Sequence, residues 1–227
     1  MQPFQIAQQT AIDSAGRQNR VLRNTYALLA VSMLPTVAGA LLGIQLNLPL
    51  FGGFMGFILF MAIAFGFMWG IERTKHSGMG VVLLLAFTFF MGLMLSGILR
   101  VALGFSNGGS LIAMAAGGTG AIFFVLSGIA ATSKRDFSGM GKFLFAGAIL
   151  VLLALVANIF LQIPALALAI SALMVVIFSA YILYDINRIV QGGEDNYISA
   201  TLAVYLDIYN VFVSLLHLLM AFTGERD

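Results

Sequence analysis

The sequence predicts an all-α, polytopic integral membrane protein of seven transmembrane helices, and three observations carry that prediction. Of the 227 residues, 61% are hydrophobic and 9% are charged, against about 45–50% and about 25% in a soluble domain. That much apolar surface cannot be hidden from water behind so few charges, so the solvent around most of the chain is lipid. The apolar residues fall into seven runs, each close to the roughly 20 residues that cross a hydrocarbon core about 30 Å thick. The breaks between runs are short, which makes consecutive helices antiparallel neighbours in one bundle.

In chain order, Met1 to Arg23 is rich in Gln, Asn and Arg and lacks the apolar core of a secretory signal. Such a segment buries too little surface to offset its ordering entropy, so a tail is expected, mobile or helical only near the membrane. The runs are Tyr26–Ile44, Leu50–Ile71, Met79–Leu99, Leu111–Ala131, Phe143–Phe160, Ala165–Ile189 and Ala200–Phe222. This gives an N-terminal tail over 1–24, one seven-helix domain over 25–223 and a short C-terminal tail over 224–227. Small residues recur at four-residue spacing: Gly39 and Gly43, Gly52 and Gly56, Gly66 and Gly70, Gly92 and Ser96. They let backbones approach closely, which is how membrane helices associate without a hydrophobic drive.

Orientation follows from Lys and Arg. Arg17, Arg20, Arg23, Arg73, Lys75, Lys134, Arg135, Lys142 and Arg188 fall on one side, whereas only Arg100 and Arg226 fall on the other. The positive-inside rule puts the N-terminus in the cytoplasm, and an odd number of spans puts the C-terminus outside. A net charge of +2, with scattered basic residues, excludes a nucleic-acid binder. The absence of cysteine excludes disulfides, thiolate metal sites, iron–sulfur clusters and a cysteine nucleophile. No cofactor is expected.

Charges inside lipid are costly, and two stand out. Asp185 lies in the sixth run and Asp207 in the seventh, each roughly 10 Å from the same, basic-rich end by helical rise. On the seventh helix Asp207, Asn210, Ser214 and His217 fall on one narrow face. On the sixth, Tyr181, Asp185 and Arg188 share a face. A polar stripe in a lipid-embedded bundle faces the interior or a wet cavity, so an interior path guarded by two carboxylates is expected. Carboxylates about 4 Å apart repel by roughly 4 kcal/mol at an effective dielectric near 20. The pair is therefore expected to hold one shared proton, and to attract a hard cation such as Ca²⁺ once that proton leaves. A pH-gated cation pathway follows, with Asp185 and Asp207 as sensor and transient Ca²⁺ ligands.

Structural readings stand beside this one. Asp185 is able to pair with Arg188 one turn away, and His217 to serve as a hydrogen-bonded structural histidine. Asn158 and Gln162 are placed to join helices or cap the outer end of the fifth span. One His and two Asp at different depths make no zinc site.

The same residues sit in stretches that resemble the Bax inhibitor superfamily, and within it the bacterial YccA branch. They include Arg23-Asn24-Thr25-Tyr26, Gly117-Gly118-Thr119 and Ala157-Asn158-Ile159-Phe160-Leu161-Gln162. Further along come Ala169-Ile170-Ser171-Ala172, Tyr184-Asp185, Gly192-Gly193-Glu194, Asn196-Tyr197 and Tyr205-Leu206-Asp207-Ile208-Tyr209-Asn210. The resemblance implies a last helix central in the bundle and surrounded by the other six. It also implies a pH-sensitive Ca²⁺ leak of the bacterial inner membrane, with Asp185 and Asp207 as proton sensor. Some bacterial relatives pair the sixth-helix aspartate with an arginine of the second span; Leu50–Ile71 here contains no basic residue. The branch is further associated with the membrane-anchored protease FtsH, as a modulator, for which the N-terminal tail offers a handle.

No enzyme is expected. Intramembrane aspartyl proteases also use two aspartates, but their second sits in Gly-x-Gly-Asp, whereas Asp207 follows Val204-Tyr205-Leu206. A retinal protein would need a lysine in the seventh helix for its Schiff base, and there is none. Ser214 and His217 lie three apart without an oxyanion hole.

Overall fold

A computed structural model describes residues 2–46, 53–133 and 135–225, with side chains from Gly16 onward. The connection around Pro49, with Leu50 and Gly52, lies outside the described residues, as do Lys134 and Arg226. The helices are α1 (Gln2–Gln45), α2 (Gly53–Thr74), α3 (Gly78–Leu103), α4 (Gly108–Thr132), α5 (Gly141–Leu161), α6 (Pro164–Val190) and α7 (Tyr197–Thr223). A 3₁₀ turn, Ser138–Met140, leads into α5. Each of the seven is long and apolar enough to cross a membrane, α1 through its Gly16–Gln45 portion. The protein is thus an all-α, multi-pass membrane protein, as its composition predicts.

The N-terminal segment departs from expectation, because α1 runs unbroken from Gln2 through the first span. Pro3 falls in its first turn, where a missing N–H costs nothing, and no Gly or Pro interrupts residues 4–15. Extending an existing helix avoids the cost of nucleation. The start of α7 also moves, from Ala200 back to Tyr197. Asn196 sets it: its Oδ1 accepts from the backbone N–H of Ile198 at 2.9 Å and of Ser199 at 3.2 Å, an N-cap. At the far end of α5, Gln162 takes the left-handed conformation (φ 52°), and Asn158 Oδ1 accepts from Ile163 N–H at 3.0 Å. The two polar residues therefore cap that helix end, one of the roles their spacing offers.

Two of the small-residue pairs lock α1 against α3. A Cβ on Gly92 would collide with the Thr36 carbonyl oxygen, and one on Gly39 with that of Phe89; Gly43 faces Ser96 at the same seam. Gly66 borders open space and packs nothing.

Helix α7 is central: it packs against α1, α2, α3, α4 and α6. The expectation of six neighbours is corrected to five, since among the described residues α5 rests on α6 and reaches α2 without touching α7. Tyr205, 1% exposed, ties the centre together. Its hydroxyl stands 2.9 Å from Thr36 Oγ1 on α1 and donates to the Thr88 carbonyl of α3 at 3.4 Å.

The connections sort by end. Asn196 Nδ2 donates to Lys75 O at 2.9 Å, bringing the α2–α3 and α6–α7 turns together. Asn187, 1% exposed, accepts from Phe137 N–H at 3.0 Å and donates to Arg135 O at 3.1 Å, pinning the α4–α5 connection to α6. At the opposite end Asn107 Nδ2 donates to Thr223 O at 2.7 Å, joining the α3–α4 turn to the C-terminal segment.

Replacing Gly92 by Val should destabilise the bundle by about 1–3 kcal/mol or more, because a rigid backbone carbonyl cannot yield, whereas Gly66→Ala should be neutral or slightly stabilising. Denaturant titration of the two variants in detergent micelles checks this, and equal losses would refute the α1–α3 contact.

Candidate functional site

The expected polar residues gather on a seam between α6 and α7. Asp185 and Asp207 come together: their carboxyl groups face each other across the seam, near enough to interact. Asp207 is 4% exposed, and its Oδ2 has no partner among the described residues. They face each other although the two are not at matching positions along their helices. Asp185 precedes the α6 terminus at Val190 by five residues, about 7.5 Å. Asp207 follows the α7 start at Tyr197 by ten, about 15 Å. Asp207 therefore lies farther from the start of its helix than its apolar run indicates, because the Asn196 cap starts α7 early. Two carboxylates brought this near repel when both are ionised.

Tyr181 lies one turn before Asp185 on α6, within electrostatic reach of both carboxyls. Arg188 does not join them. Its Nη2 is 3.4 Å from Glu194 Oε2, and its Nε donates to Gly193 O at 3.1 Å, across the turn leading to α7. The pairing of Asp185 with Arg188 is thus replaced by an Arg188–Glu194 pair in which the arginine is exposed and the glutamate half-buried. Glycine at 192, with φ 77°, permits this turn.

Farther along the seam, Asn210 Nδ2 donates back to Leu206 O at 2.8 Å, and Ser214 Oγ is buried without a partner among the described residues. His217 Nδ1 lies 2.8 Å from Ser171 Oγ, so the histidine clasps α7 to α6 near the other end. The stripe is a seam with a carboxyl pair at one end and a Ser–His clasp at the other. Among the described residues no three His, Cys, Asp or Glu side chains converge as a metal cluster would need.

Sequence reasoning missed a second polar group outside the seam. Lys75 Nζ donates to Glu72 Oε2 at 2.8 Å beside the α2–α3 turn, which raises the ammonium group's pKa. In the α4–α5 connection the Ser138 N–H, 2.8 Å from Asp136 Oδ1, holds that carboxyl below its ordinary range. Asn187 was also missed; its signal is an amide two residues from Asp185 inside an apolar run.

The arrangement defines a class first: a helical, polytopic membrane protein with a central last helix whose buried aspartate faces a second on the neighbouring helix. Residues 18–224 match the model of the family described as "Inhibitor of apoptosis-promoting Bax1", and the chain belongs to that family. It is 42% identical over 201 residues to "Modulator of FtsH protease YccA" of Escherichia coli K12, covering 88% of this chain and 90% of that one. The corresponding protein of E. coli O6:H1, with the same identity and coverage, is named "Inner membrane protein YccA". An uncharacterized protein of Pseudomonas aeruginosa is 39% identical over 218 residues, covering 96% of each chain.

Breaking the Ser171–His217 clasp should cost little. A double-mutant cycle of Ser171→Ala with His217→Ala should give a coupling of about 0.6 kcal/mol, the average for interhelical hydrogen bonds in membranes. A coupling indistinguishable from zero in unfolding titrations would show that the two groups do not interact.

Proposed function

We propose that this protein is an inner-membrane modulator of an FtsH-type, membrane-anchored ATP-dependent protease, acting without catalysis of its own. The observation that carries the reading is the 42% identity, along 88% of the chain, to a relative named as such a modulator. Physical features support it. Residues 2–15 extend α1 on the N-terminal side of its apolar run, which begins at Tyr26. An N-terminal extension of this kind is a handle that a processive protease engages. Behind it stand interlocked backbones at Gly39 and Gly92 and the hydroxyl bridge from Tyr205 to Thr36, a bundle that resists extraction. The distribution of Lys and Arg favours a cytoplasmic handle, on the side of the protease's ATP-driven motor, and a periplasmic C-terminus.

Deleting Met1 to Gly16 should abolish modulation of the protease's turnover of a model membrane substrate while leaving the bundle folded. Unchanged modulation by the truncated chain would overturn the role of the tail.

A second reading is favoured by the nearness of Asp185 and Asp207 across the α6–α7 seam. A carboxyl pair that holds one proton and repels without it is a candidate gate for a proton-sensitive Ca²⁺ pathway, its oxygens serving as transient ligands. Tyr181 borders that pair, and Asn210, Ser214 and His217 continue along the seam. On this reading, Ca²⁺ flux into proteoliposomes rises between about pH 5 and pH 8 as the shared proton leaves. Asp207→Asn should remove that dependence, and truncation of the tail should not. Flux no greater than that of empty liposomes at every pH would leave the aspartates a structural role.

A further inference from the structure

Helix α7 has a second face, turned away from the seam. Viewed down the helix at 3.6 residues per turn, Tyr205, Ile208, Tyr209 and Phe212 lie roughly opposite Asp207, Ser214 and His217. These four residues line a cavity of about 950 Å³ between α1 and α4, which none of the seam residues touches. The backbones of α1 and α4 nowhere approach within 8 Å of each other among the described residues, so the cavity is a gap between two spans, lined almost wholly by apolar side chains. Tyr26 of α1 and Phe123 of α4 meet edge-on across it, with ring centroids 6.0 Å apart.

The walls are built to leave room. On α4 the lining residues Ala116, Gly120 and Gly128 are small, and a Cβ on either glycine would meet nothing within 4 Å. Glycines elsewhere in this bundle bring backbones together, as Gly92 does; these two border open space. The outer rims are greasy and exposed: Val37 and Leu41 on α1, Phe124 on α4. In a membrane this apolar gap opens onto hydrocarbon.

One end of the gap carries charge. Tyr26, Ala30, Met33 and Val37 form the α1 wall, and Arg23 lies one turn before Tyr26 on the same side of that helix. Arg23 is exposed. This is the end at which basic residues gather, Arg20 and Arg135 included, at the level where lipid headgroups sit.

We propose that the α1–α4 gap is a binding site for an anionic glycerophospholipid, its acyl chains lying against Tyr209 and Phe212 of α7 and its phosphate held by Arg23. The exposed Arg23 at one end and the apolar rims of Val37, Leu41 and Phe124 match the two parts of such a lipid, headgroup and tails. Charge separates it from a neutral lipid, since a basic side chain beside an anionic headgroup strengthens binding by about fivefold. The lipid would touch the helix that carries Asp207 on the face turned away from the aspartate.

Titrating the purified full-length protein with dioleoyl phosphatidylglycerol, or with phosphatidylcholine of the same tails, and counting bound lipids by native mass spectrometry, tests the site. One phosphatidylglycerol should be retained in preference to phosphatidylcholine. Arg23→Gln, an exposed change that leaves the fold intact, should weaken the anionic lipid about fivefold and leave the neutral one unchanged. Arg17→Gln, on another face of α1, should do neither. Gly120→Leu with Gly128→Leu fills the gap and should abolish retention of both lipids. Equal losses from Arg23→Gln and Arg17→Gln, or full retention by the filled variant, would overturn the proposal. So would a photo-crosslinker at Val37 that, in native membranes, labels a protein rather than a lipid.

Discussion

Lipid offers no hydrogen bonds, so polar side chains of α7 that find partners inside the protein do much to organise the bundle. His217 meets Ser171, Tyr205 meets Thr36 and Thr88, and Asp207 faces Asp185 across the seam. Asn196, at the head of the helix, holds the α2–α3 turn through Lys75 O. Each partner lies on a different part of the surrounding wall, so satisfying them together fixes the rotation and depth of α7. Leaving one unmet in hydrocarbon costs several kcal/mol, far above the gain from any single apolar contact.

Close backbone approach has the complementary role. Gly39 and Gly92 let α1 and α3 touch, and that pair becomes the stiff half of the bundle. On the other side of α1 no such approach is made, and α4 stands off across the apolar gap. The same residue type therefore acts in two ways: buried against a carbonyl, it draws helices together, and facing open space, it preserves a cavity. Helix α7 lies between these regimes, with its polar seam on α6 and its aromatic face on the gap.

The protease and ion readings place function in different parts of the molecule. Engagement of a protease uses the extension of α1 and the cohesion of the bundle, and asks nothing of the carboxyl pair. A proton-sensitive pathway depends on that pair, and is indifferent to the extension. A membrane protein can do both, because the two devices share no residue.

Much of this was legible in the sequence, for a physical reason: hydrocarbon imposes a length and a polarity on every span, so composition and spacing reveal the seven helices directly. The same rule makes an aspartate in such a span conspicuous, and Asp185 and Asp207 declare themselves in the linear pattern alone. What the one-dimensional pattern cannot contain is which side chains meet. Arg188 is as near to Asp185 in sequence as helical spacing permits, yet it turns to Glu194 across a loop shaped by Gly192. Gly92 and Gly120 look alike as letters, and only the packing of neighbouring helices decides that one is a contact and the other a gap. The number of spans and their buried charges follow from local chemistry; the partners of those charges depend on how the helices are rotated and staggered, which only their mutual packing sets.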